Sequence, residues 1–137
     1  SLRAVLLVAA AACAPADRAF APSATPRLAV ASGAAVVISQ VYGGGGNSGA
    51  TFRNDFIELY NPGTTPVDLS SWSVQYASGT GTSWARTNLS GSIAPGGYYL
   101  IQQAAGTGGT QNLPTPDATG TITISATAGK VALVSSQ

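Results

Sequence analysis

Asn54-Asp55-Phe56-Ile57-Glu58-Leu59-Tyr60-Asn61-Pro62-Gly63 is the stretch on which the fold turns. Its first part is aromatic and aliphatic in the manner of a strand, and Asn61-Pro62-Gly63 stops it. Proline fixes φ and glycine accepts a positive φ, so the chain reverses there. Beyond the turn come Val67-Asp68-Leu69 and Trp72-Ser73-Val74-Gln75-Tyr76, the latter alternating strictly. In an extended chain Trp72, Val74 and Tyr76 share one face, with Ser73 and Gln75 on the other. Ile57 and Leu59 are expected to point inward with Val67, Leu69 and Trp72, which sets Phe56, Glu58 and Tyr60 on the opposite side of their strand.

The same signals extend in both directions. Upstream, the β-branched run Val36-Val37-Ile38-Ser39-Gln40-Val41-Tyr42 ends in Gly43–Gly46. Downstream, Arg86–Leu89, Tyr98–Gln102, Thr121–Ser125 and Val131–Val134 are further strand candidates. No segment from 35 to 137 holds a helical apolar period over three turns. About seven or eight short strands at this spacing predict an all-β fold, an immunoglobulin-like β-sandwich.

Composition narrows the chemistry. The chain has 137 residues, enough for one domain with a core, and only 8% of them are charged. Histidine is absent. It is the side chain that titrates unperturbed near neutral pH, so Ser-His-Asp, Cys-His and histidine-bearing zinc sites are excluded by composition. A net charge of +1 supplies no basic stripe for electrostatic binding of nucleic acid. The single cysteine, Cys13, has no partner for an internal disulfide.

Residues 1–16 read as a secretory signal peptide. Arg3 leads into Ala4-Val5-Leu6-Leu7-Val8 and the alanines 9–12, an apolar stretch of about nine residues, far below the roughly twenty needed to span a membrane. With Ser1 as its start, the signal is expected to lack its front. Ala14-Pro15-Ala16 fits a small-x-small cleavage site before Asp17. A second reading makes Cys13 the lipid-bearing cysteine of an anchored lipoprotein. Ala10, three positions upstream, stands where a larger aliphatic is usual, which favours free secretion. Residues 17–34 form a Pro/Ala/Ser linker, and Pro22, Pro26 and Gly33 oppose a long regular element there. The sandwich then occupies 35–137 and is expected to be truncated at its C-terminal end.

An ordered set of motifs carries a resemblance. Val37-Ile38-Ser39-Gln40-Val41-Tyr42-Gly43-Gly44-Gly45-Gly46-Asn47-Ser48-Gly49 resembles the opening of a bacterial lamin tail domain. Asn54–Asn61 followed by Pro66–Tyr76 is similar to that family's core, a strand ending in Asn, a turn, an aliphatic pair and a Trp-led strand. Pro95–Ile101 and Ser125–Val134 match its later strands, so the similarity covers about residues 36–134. The resemblance implies an immunoglobulin-like sandwich without catalytic activity. In secreted bacterial proteins such domains often stand ahead of a nuclease of the endonuclease/exonuclease/phosphatase type. That enzyme needs histidines and several carboxylates. The resemblance therefore implies an accessory module with a neighbour, and an N-terminal fragment of a secreted metal-dependent nuclease is the alternative.

Other candidates are weaker. Gly43–Gly49 lacks the Lys-Ser/Thr pair and helix of a phosphate loop, and is expected to be a flexible connection. Asp55, Glu58, Asp68 and Asp117 show no local cluster of the kind calcium prefers, so no metal ligand and no cofactor is assigned. Asp68 and Asp117 are expected to bond nearby backbone N–H groups in turns. Trp84, Tyr98 and Tyr99 suggest an aromatic platform for a sugar, against a bland reading as core or edge cover, and Trp72 is assigned to the core. No residue is assigned a catalytic role. Glu58, Tyr60 and Trp84 are the candidate partner surface, and the expected partners are a downstream nuclease domain, an envelope component or DNA. Carbohydrate binding is the third functional reading.

Overall fold

The structure is a computed structural model that describes residues 36–137. The signal peptide, the linker and Cys13 lie outside the described residues.

Nine strands form among them. The first sheet has the order β1-β2-β7-β8 and comprises β1 (Val37–Tyr42), β2 (Asn54–Tyr60), β7 (Tyr98–Ala105) and β8 (Ala118–Thr119). The second has the order β5-β4-β9, with β4 (Ser73–Ser78), β5 (Ala85–Asn88) and β9 (Gly129–Val134). A short antiparallel ladder joins β3 (Val67–Asp68) to β6 (Ser92–Ile93). Pairings are antiparallel except β7 with β8. This is the expected all-β sandwich.

The core follows from alternation. Ile57 and Leu59 on β2 lie opposite Ile101 and Tyr99 on β7. All four are buried and join Val74 and Tyr76 of β4, together with Val67, Leu69 and Ile93, in one apolar cluster. Each such aliphatic side chain contributes about 1.5–3 kcal/mol relative to exposure.

Several expectations shift in detail. Trp72 does not lead a strand; it sits in the turn before β4, where its amide donates to Leu69 O at 2.8 Å. Its side chain is half-buried against the cluster. Ser73, placed on the polar face, is buried, and its Oγ is satisfied by donating to Ser136 O. Phe56 is on the face expected, yet only 5% exposed. Tyr42 stacks on it at 5.2 Å and Phe52 meets it edge-on at 5.7 Å, so aromatic neighbours cover what solvent was expected to bathe.

Thr121–Ser125 is extended but belongs to no ladder. Ile122 and Ile124 are buried in the core while Thr121 and Thr123 are exposed, the alternation of an extended chain. The amide partners are side chains: Ile122 N donates to Gln103 Oε1 at 3.1 Å and Ile124 N to Asp55 Oδ2 at 2.7 Å. A carboxylate and an amide thus stand where a neighbouring strand would present carbonyls.

The glycine loop is packed, not a loose connection. Gly44 N donates to Ile124 O, Gly45 N to Asp55 Oδ1 and Gly46 N to Phe52 O. Gly46 has φ +73°, and a Cβ there would overlap the backbone of Gly106. Both the left-handed conformation and the close approach call for glycine.

Candidate functional site

Strand period and register bring Glu58, Tyr60 and Tyr98 together. Glu58 and Tyr60 are two residues apart on β2 and so share its outward face. Tyr60 lies directly opposite Tyr98 of β7, and their rings pack 4.8 Å apart at an interplanar angle of 34°. Tyr98 is 62% exposed and Tyr60 half-buried beneath it. Glu58 is held in place from the other side. The β1–β2 register shifts between Ile38 and Gln40, and Ser39 is the extra residue. Ser39 Oγ donates to Glu58 Oε1 at 2.7 Å. A bulge that disturbs an edge strand here fixes the carboxylate beside the tyrosine pair. Further along the same face lies the Tyr42–Phe52–Phe56 cluster.

Trp84 is elsewhere. It precedes β5 in the second sheet, 45% exposed, with Lys130 Nζ 5.7 Å from its ring centre. Lys130 also donates to Gly81 O at 2.6 Å, tying the loop before Trp84 to β9. Tyr99 points into the core and donates its hydroxyl to Ser90 O at 2.7 Å. The platform expected of Trp84, Tyr98 and Tyr99 does not form, because Trp84 and Tyr98 belong to different sheets and neighbouring residues on β7 face opposite ways. Of the expected partner surface, Glu58 and Tyr60 meet and Trp84 stands apart. Tyr98 completes the pair. Its aromatic character was legible, but the register that sets it against Tyr60 was not.

The remaining carboxylates serve the backbone. Asp55 is buried and accepts from Gly45 N at 2.6 Å and Ile124 N at 2.7 Å. Asp68 makes the expected turn, accepting from Ser70 Oγ at 2.6 Å and Ser70 N at 2.9 Å. The Ser70 hydroxyl first, and then the Ser70 amide, hold its carboxyl below the ordinary carboxylate range. Asp117 departs from expectation. Its Oδ2 accepts from Leu100 N at 2.7 Å and its own N–H returns a bond to Leu100 O, so it ties β8 to β7 across the sheet rather than closing a local turn. Among the described residues no three His, Cys, Asp or Glu side chains gather as a metal site. The chemistry offered is stacking on tyrosine faces and hydrogen bonding to phenol and carboxylate oxygens.

The family model described as Lamin Tail Domain covers residues 29–137. A search of curated proteins returns nothing that matches.

Proposed function

The chain belongs to the lamin tail domain family, whose members are non-catalytic immunoglobulin-like domains, and from that premise we propose that it is an interaction module of a secreted bacterial protein. It holds or orients a neighbouring domain, a nuclease of the endonuclease/exonuclease/phosphatase type being the chemistry anticipated, or contacts an envelope component. The observation that carries this reading is the exposed Tyr98 stacked on Tyr60 beside the Ser39-held Glu58. Tyrosines bring large rigid contact areas at low conformational-entropy cost, and interface centres are enriched in them. A partner that covers Tyr98 gains apolar burial while its polar groups meet the phenol hydroxyls and the carboxylate.

Immobilised chain is expected to retain a partner from envelope fractions or a separately expressed downstream catalytic domain. Tyr98→Ala should weaken retention about tenfold or more, within the range of interface hot spots. Equal retention by wild type and Tyr98→Ala would remove this face from the account. The enzymatic alternative has its own test: supercoiled plasmid with Mg²⁺ should stay intact in the presence of the chain alone, and nicking that copurifies with the polypeptide would overturn the non-catalytic reading.

A further inference from the structure

A second surface, remote from the tyrosine pair, has its own chemistry. Where the end of β4 and the start of β5 approach Thr121–Thr123, a groove of about 480 Å³ opens, within the range of small-ligand sites. Its lining includes Trp84, the hydroxyl-bearing Ser78, Ser83, Thr121 and Thr123, and the buried Ile122. All four hydroxyl-bearing residues are exposed. None of those hydroxyls makes a hydrogen bond to another described residue. No charged side chain lines the groove. Lys130 packs on the Trp84 ring and spends its ammonium on Gly81 O, so it orients the indole without contributing a lining charge.

We infer that this groove binds a neutral sugar ring. A pyranose has an apolar C–H face and a rim of hydroxyls. The first matches an aromatic face, and the second matches unpaired Ser and Thr hydroxyls, each of which donates and accepts. Unpaired backbone groups point the same way. Thr121 and Thr123 alternate with Ile122 and Ile124, whose N–H and C=O groups are consumed by Gln103, Ala104, Asp55 and Gly44. The N–H and C=O groups of the two threonines therefore face the opposite edge of the segment, where no other described residue bonds them. With no charged side chain in its lining, the groove suits an uncharged ligand rather than an ionic one.

Native electrophoresis in gels containing barley β-glucan, galactomannan or xylan tests this. Wild type is expected to be retarded in at least one of them, and Trp84→Ala to run as it does without polysaccharide. Thr121→Val, nearly isosteric and on an exposed position, keeps the test independent of any folding defect in Trp84→Ala and should weaken retardation about threefold or more. Tyr98→Ala should be retarded as wild type, which separates this site from the tyrosine face. Unretarded wild type in all three gels, retardation unchanged in Trp84→Ala, or retardation lost in Tyr98→Ala would each overturn the assignment.

Discussion

Both carboxylate oxygens of Asp55 are committed to backbone amides, one in the glycine loop and one in the segment that closes the core. Asparagine keeps the shape but turns one acceptor into a donor facing another donor. Asp55→Asn is therefore expected to cost about 2–4 kcal/mol. The urea midpoint should fall with an unchanged m-value, and an unaltered midpoint would contradict the role given to Asp55. Asp68 offers a pH test. Its folded pKa lies below its unfolded value, so its contribution is present above the unfolded pKa and is lost as pH falls through the folded one. Wild type should melt slightly above Asp68→Asn at neutral pH, and the gap should close under acid. Because Asp68 is fully exposed, salt should narrow the gap as well. A gap that widens on acidification would reverse the argument. At this scale the sequence showed which residues are carboxylates and that Asp68 suits a turn. It did not show that Asp55 is internal, because its two partners lie in separate parts of the chain.

The Thr121–Ile124 segment is extended without a ladder, and its alternation has a dynamic consequence. The amides of Ile122 and Ile124 are bonded to Gln103 and Asp55 in the core, while Thr121 and Thr123 are exposed. Amide hydrogen exchange should be slow at the two isoleucines and fast at the two threonines. Gln103→Leu should release Ile122 selectively, and uniform exchange along the segment would refute side-chain pairing. The glycine loop makes a second prediction at this scale. Gly46→Ala is expected to cost about 2 kcal/mol or more, through positive φ and overlap with Gly106, measured as a lowered denaturation midpoint. Thr121–Ser125, which is extended, was legible as a strand candidate. Its exclusion from any sheet was not, since a strand and a strand-like segment share one local pattern. The glycine run was legible as a non-helical connection. Its packing against Gly106 depends on an approach between loops far apart in the chain.

Taken as a whole, the sandwich closes through pairings distant in sequence: Val37 with Tyr60, Tyr60 with Tyr98, and Val74 with Leu133. The two sheets share one core cluster, so unfolding of the chain should be a single cooperative transition. Tryptophan fluorescence, which reports on Trp72 and Trp84, and far-UV circular dichroism should give coincident denaturation curves. Separate midpoints would mean that the sheets fold independently.

By itself the sequence determined the elements and the chemistry available to them. Turn residues and period-two alternation act over a few neighbours, so the strands around Asn54–Tyr60 and Ser73–Ser78, the inward set Ile57, Leu59, Leu69 and Val74, and the lack of histidine chemistry were readable from order alone. Only the tertiary structure decided who meets whom. It set Tyr98 on Tyr60, sent Trp84 to the other sheet, and gave Asp55 and Gln103 to amides of a ladderless segment. Those choices depend on strand neighbours and register, which are selected by burying one shared core, and no local stretch of chain encodes that selection.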